Sequence, residues 1–166
     1  MRAGVYAAAF AISLGGCAGD KTMPASAPSA LAGKPLPTFS RRTLSGEKLD
    51  TKSLVGRVVV VKFFAEYCAP CTKTLPAAQA LAAEHPGVAF IGISEDERAS
   101  TAAELVTRHG LSFPVIHDAG QVLWGRFRVR EMPATFVAGK DGIVRWVGDE
   151  TADEATLRDA IEVAAK

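Results

Sequence analysis

The stretch Val58–Cys71, VVVVKFFAEYCAPC, joins a run of β-branched and aromatic residues to two cysteines set three positions apart. Val58–Phe64 has the composition of a buried strand. Thr72–Glu84, on the far side of the cysteines, is Ala- and Leu-rich and of helical character, and it stops near His85-Pro86-Gly87. A strand that runs straight into a helix places Cys68 against backbone N–H groups without intrahelical partners, at the positive end of the helix dipole. Both favour thiolate over thiol, so Cys68 reads as an attacking sulfur. Cys71, one turn further on, is placed to attack a mixed disulfide and release its substrate. Pro70 costs nothing in the first turn, where its missing N–H would have no partner.

Two other uses of the pair fit less well. As a staple, a four-residue loop constrains the unfolded chain by only ~2 kcal/mol on the loop-entropy model, against ~4.7 kcal/mol for a hundred-residue loop. A structural zinc site needs four ligands, and the chain has no second CxxC and no HxxxH. His85, His109 and His117 are scattered and read as surface or loop histidines.

Outward from this stretch the pattern is that of an α/β domain. Val88–Ile93 is a second strand and Glu97–His109 a helix closed by Gly110. Phe113–His117 is a short strand and Gln121–Phe127 a short helix. Ala134–Ala138 and Ile143–Val147 flank Gly139-Lys140-Asp141-Gly142, whose Asp-Gly pair signals a hairpin, and Asp153–Ala165 is a closing helix. This order implies a mixed sheet covered on both faces.

The 166 residues suffice for one domain with a core, and 19 Lys and Arg against 18 Asp and Glu leave no basic field to gather nucleic acid. The N-terminus differs in kind. Arg2 precedes the uncharged Ala3–Leu14, too short for the roughly 20 residues of a spanning helix, so residues 1–16 read as a secretory signal. Leu14-Gly15-Gly16-Cys17 resembles a bacterial lipobox, which makes Cys17 the expected lipid attachment site. Several acyl chains on one residue would hold the mature protein at a membrane surface. Residues 17–35, rich in Ala, Ser, Gly and Pro, read as the lipidated cysteine and a flexible tether, and residues 36–166 as the folded domain.

The strand with FAEYCAPC, Pro76 five residues past Cys71, and Met132-Pro133 before Ala134–Ala138 resemble the thioredoxin superfamily. The nearer likeness is to membrane-tethered, extracytoplasmic thiol-disulfide oxidoreductases of the TlpA/ResA type, over about Leu36–Lys166. The resemblance implies a thioredoxin-like fold, a central mixed β-sheet with helices on both faces, extended at the N-terminus by a β-hairpin at Thr43–Asp50. It implies catalytic Cys68 and Cys71, a substrate-binding surface from Tyr67, Met132 and Pro133, and active-site support from Pro70, Pro76 and Lys62. Met132-Pro133 is expected as a cis peptide beside the disulfide, with the Met132 backbone free to pair with an extended substrate. Pro76 is expected either to kink the active-site helix or to end it early.

This sequence also departs from the family. Lys62 stands six residues before Cys68, where thioredoxins often bury an acid; a cation there favours thiolates by charge but is no carboxylate base. Thr74 stands where ResA-like proteins commonly have a glutamate, and Tyr67 where Trp is common. Glu66 reads as a solvated loop carboxylate, and Arg126, Arg128 and Arg130 in GRFRVRE as a solvated strand face. The resemblance implies an enzyme, expected as a monomer, that reduces disulfides in exported proteins. Its electrons would come from an integral-membrane thiol donor, and it would carry no cofactor beyond the redox-active Cys68–Cys71 disulfide. Two alternatives stay open. Leu36–Phe63 also resembles the start of peroxiredoxin-like thiol peroxidases, although FAEYCAPC lacks their Pro and Thr arrangement. A Cu(I)-binding thioredoxin-fold metallochaperone would use two soft thiolates, although CxxC is one residue short of the CxxxC of that group.

Overall fold

The computed structural model describes residues 28–166. A hairpin of β1 (Ser40–Arg42) and β2 (Lys48–Asp50) precedes the domain's main sheet. That sheet has five strands, β3 (Val59–Phe64), β4 (Ala89–Ser94), β5 (Val115–His117), β6 (Ala134–Ala138) and β7 (Val144–Gly148). Their order is β5-β4-β3-β6-β7, with β3, β4 and β5 parallel and β6 antiparallel to both β3 and β7. The helices are α1 (Ala69–Glu84), α2 (Ala99–Arg108), α3 (Val122–Arg126) and α4 (Glu154–Ala165).

Both faces of β3 are buried, so the period of two shows in the packing and not in the polarity of the sequence. Val58, Val60 and Phe64 meet Leu75 and Leu81 of α1, Leu105 of α2 and Ile161 of α4. Val59, Val61 and Phe63 meet Leu123 of α3, Phe127 and Phe136 on the other side. Edge-to-face rings hold that second layer together, with Phe63 5.2 Å from Phe127 and Phe127 5.1 Å from Phe136. The expected mixed sheet with helices on both faces is therefore present.

Apart from small shifts at element ends, three expectations change. The first is that of the tether: its last residues, 28–35, pack on the fold. Leu31 is buried beside Phe39, the Ser29 hydroxyl donates to Phe127 O at 2.7 Å, and the Gly33 N–H donates to Val144 O at 2.8 Å. Pro35 pairs antiparallel with Ile143. Composition alone hid this because a few backbone bonds and one apolar anchor leave no periodicity. Next, the hairpin arms flank Thr43–Glu47, so Thr43 belongs to the turn, where its N–H donates to Glu47 O at 2.8 Å. Finally, the alternating arginines form no strand face. All three are exposed, but Arg126 ends α3 and Arg128 takes φ 51°, a left-handed conformation that breaks extended structure. Cys17, the signal segment and the first part of the tether lie outside the described residues.

Candidate active site

β3 ends at Phe64, and the chain crosses Ala65–Tyr67 to reach Cys68, the N-cap of α1. The Cys71 N–H donates to Cys68 Sγ at 3.2 Å, so the sulfur caps the helix as a serine oxygen would. Cys68 and Cys71 form a disulfide. Cys68 keeps 8% exposure and Cys71 has none. Pro70 occupies the first turn as expected, and α1 runs through the exposed Pro76 to Glu84 instead of ending there. The Thr74 hydroxyl turns back onto its own helix, donating to Cys71 O at 3.0 Å.

Two further expected residues come to the same end of the sheet. Met132-Pro133 is a cis peptide immediately before β6, with Pro133 buried and Met132 half-buried against the cluster that contains both cysteines. Tyr67 is 65% exposed beside Cys68. Its phenol is pushed up from the ordinary value by partial desolvation and by the carboxylates of Glu95, Asp96 and Glu97. Lys62 is buried in β3, and its Nζ donates to Thr135 Oγ1 of β6 at 3.3 Å. Burial draws its ammonium down to about 8. Glu66 is exposed, as expected of a loop carboxylate, with Arg108 3.8 Å away.

Sequence reasoning missed a buried acidic group at the ends of β4 and β5. The Glu95 N–H donates to Phe64 O at 2.9 Å, and Asp96 Oδ1 accepts the Glu66 N–H at 2.8 Å, so this group holds the loop that leads to Cys68. The second oxygen of Asp96 accepts from the Ser94 hydroxyl, and His117 Nε2 donates to Asp96 O at 2.7 Å. Asp118 caps α3, accepting the N–H groups of Leu123 and Trp124 at 2.7 and 3.0 Å. Glu95 is 6% exposed, with the Asp118 carboxyl within hydrogen-bonding reach of its own. Burial first, then the neighbouring Asp118 and Asp96, push its carboxyl up to about 8. Nothing in the local pattern of SEDER marks its acids as buried, and the parallel register of β3 with β4 carries them under the active-site loop.

Known proteins match most of the chain. The AhpC/TSA family model matches residues 32–147. The chain belongs to the AhpC/TSA family, among its thioredoxin-fold thiol-disulfide oxidoreductases. The thiol-disulfide oxidoreductase ResA of Bacillus anthracis is 33% identical over 74% of this chain and 73% of its own length. The soluble secreted antigen MPT53 of Mycobacterium tuberculosis is 32% identical over 77% and 74%. Among solved structures, dsbF from MTB in mixed oxidised and reduced forms superposes with a TM-score of 0.72 at 26% identity, covering 76% of this chain and 95% of that one. A secreted Mycobacterium tuberculosis disulfide oxidoreductase, described as homologous to E. coli DsbE, gives 0.70 at 27% identity over 75% and 95%.

Relatives of this kind favour neither the peroxidase nor the Cu(I) carrier. Among the described residues no three His, Cys, Asp or Glu side chains are grouped so as to hold a metal ion. No helix among them is long and apolar enough to cross a membrane.

Proposed function

We propose that this oxidoreductase is exported and tethered to a membrane, where it reduces disulfides in other exported proteins. The observation that carries the roles is the asymmetry of the pair: Cys68 caps the helix with its sulfur and keeps some exposure, whereas Cys71 has none. In the dithiol form the cap N–H and the helix dipole stabilise the Cys68 thiolate, which attacks a substrate disulfide. One substrate sulfur leaves as a thiol and the other stays bound in a mixed disulfide with Cys68. Cys71 then attacks Cys68 Sγ, the second substrate thiol leaves with the proton Cys71 has given up, and the Cys68–Cys71 disulfide remains. Two electrons pass from enzyme to substrate, and no cofactor other than the cysteine pair is called on. A membrane thiol donor restores the dithiol.

The substrate segment lies along the Met132 backbone between Tyr67 and Pro133; proline presents no N–H to the sulfurs, and the exposed ring of Tyr67 supplies an apolar contact. Export is supported by the signal-like residues 1–16, by the lipobox resemblance at Cys17 and by relatives named as secreted proteins.

Cys71→Ser tests this reading directly. In cells it is expected to accumulate reductant-sensitive complexes joined through Cys68, found in the membrane fraction if Cys17 carries lipid. Absence of any complex, with Cys68→Ser retaining full activity, would sink the assigned roles. The direction is read from the reduction potential of the couple: about −270 mV, as in thioredoxin, fits a reductase, whereas about −120 mV, as in DsbA, would make the protein an oxidant.

A further inference from the structure

Lys62 is the charged residue within β3, and it is 4% exposed. Val59, Val61 and Phe63 face the α3 side of the sheet, whereas Val58, Val60 and Phe64 join the cluster containing Cys68 and Cys71. By that alternation Lys62 extends on the α1 side, between Val60 and Phe64 and beneath the helix that carries the disulfide. Its register partner in β4 is Gly92, over which the Phe64 ring and Val115 close, and its partner in β6 is Thr135, whose hydroxyl takes its hydrogen bond.

Among the described residues Lys62 is in no ion pair. Neither α1 nor α4 turns a carboxylate inward: their buried side chains are aliphatic, apart from Cys71. Glu95 and Asp96 lie beyond the end of β4, and desolvation is the single influence on the Lys62 ammonium, with no contribution from either acid. A buried cation without a counter-ion is costly, and the group on its side of the sheet that becomes an anion during the reaction is a cysteine sulfur.

We propose that Lys62 is the buried counter-charge of the Cys71 thiolate. This deepens the reductase reading and rests on its dithiol chemistry. While substrate is held on Cys68, the Lys62 ammonium stabilises negative charge on the enclosed Cys71 sulfur. The Cys71–Cys68 bond then forms, the Cys68–substrate bond breaks, and the proton lost by Cys71 ends on the departing substrate sulfur. Linkage makes the effect reciprocal: to the extent that the ammonium favours thiolate, thiolate holds the proton on Lys62. Formation of the disulfide removes that anion, and Lys62 is left alone in the core.

The side-chain nitrogen of Lys62, followed by NMR in the full chain across pH 6 to 11, reads this without any substitution. It is expected to titrate at least one pH unit higher in the dithiol than in the disulfide form; equal titration in the two would overturn the proposal. Lys62→Met gives a second readout, the rate at which substrate is released from the mixed disulfide. Release is expected to slow about tenfold at pH 7, the equivalent of one pKa unit, and to recover as pH rises and Cys71 ionises unaided. An equal rate at every pH would overturn the proposal. Should Lys62→Met not fold, the titration of the unsubstituted protein decides alone. If the unsubstituted protein reduces no disulfide substrate, the reductase reading fails first and takes the proposal with it.

Discussion

Lys62 and Glu95 are displaced toward the same region of pH from opposite directions, and burial is the leading cause for both. Glu95 has an ordinary value of 4.5 and is raised to about 8 in the fold. Between those limits the folded protein holds a proton that the unfolded chain has lost, so stability falls as pH rises through the window and is level above it. Lys62 behaves inversely: its folded value lies below its unfolded one, so the cost of burying its charge is present at neutral pH and relieved as pH rises from about 8 toward 10.5. Glu95→Gln is therefore expected to flatten the decline of Tm between pH 5 and 8 while leaving Tm at pH 4 nearly unchanged. Parallel Tm profiles for the two proteins would show that Glu95 does not titrate in this window. At this scale the cysteines were legible because their spacing is local, whereas Met132-Pro133 was legible through the family resemblance. Glu95 and Asp118 were not, since charged residues near strand ends are usually solvated and nothing in the sequence marks these as enclosed.

Among the elements, β4 illustrates how a strand serves the site without supplying a reacting group. Gly92 lies beside Lys62, and a Cβ there would come within 2.9 Å of the Phe64 ring and of Val115. The missing side chain lets the Phe64 ring approach β4 closely just ahead of the loop that reaches Cys68. Gly92→Ala is expected to destabilise the fold by about 1–3 kcal/mol through overpacking, measured by urea unfolding. A change below about 0.5 kcal/mol, as for ordinary surface substitutions, would mean that the ring has room to move. Helix α1 was readable from composition, yet its N-terminal turn was set by the sulfur cap and not by any apolar period. The arginine segment misled because alternating charge mimics a strand until Arg128 adopts a left-handed conformation.

For the molecule as a whole, the chain from Pro28 to Pro35 closes one side of the sheet next to β7 and Phe127. A chain beginning at Leu36 would lose the buried Leu31, worth roughly 1.5–3 kcal/mol, together with the hydrogen bonds of Ser29 and Gly33. Its urea midpoint is expected to drop with the m-value little changed; an unchanged midpoint would make the segment a passive strap. By itself the sequence determined the succession of strands and helices and placed a thiol pair where a strand meets a helix, because these depend on neighbours a few residues apart. The tertiary structure alone decided which charges are buried, that Asp96 just past β4 braces the active-site loop while Asp118 past β5 caps α3, and that Lys62 shares a layer with Cys71. Those outcomes follow from strand register and from packing on both faces of the sheet, which bring together residues that no local pattern relates.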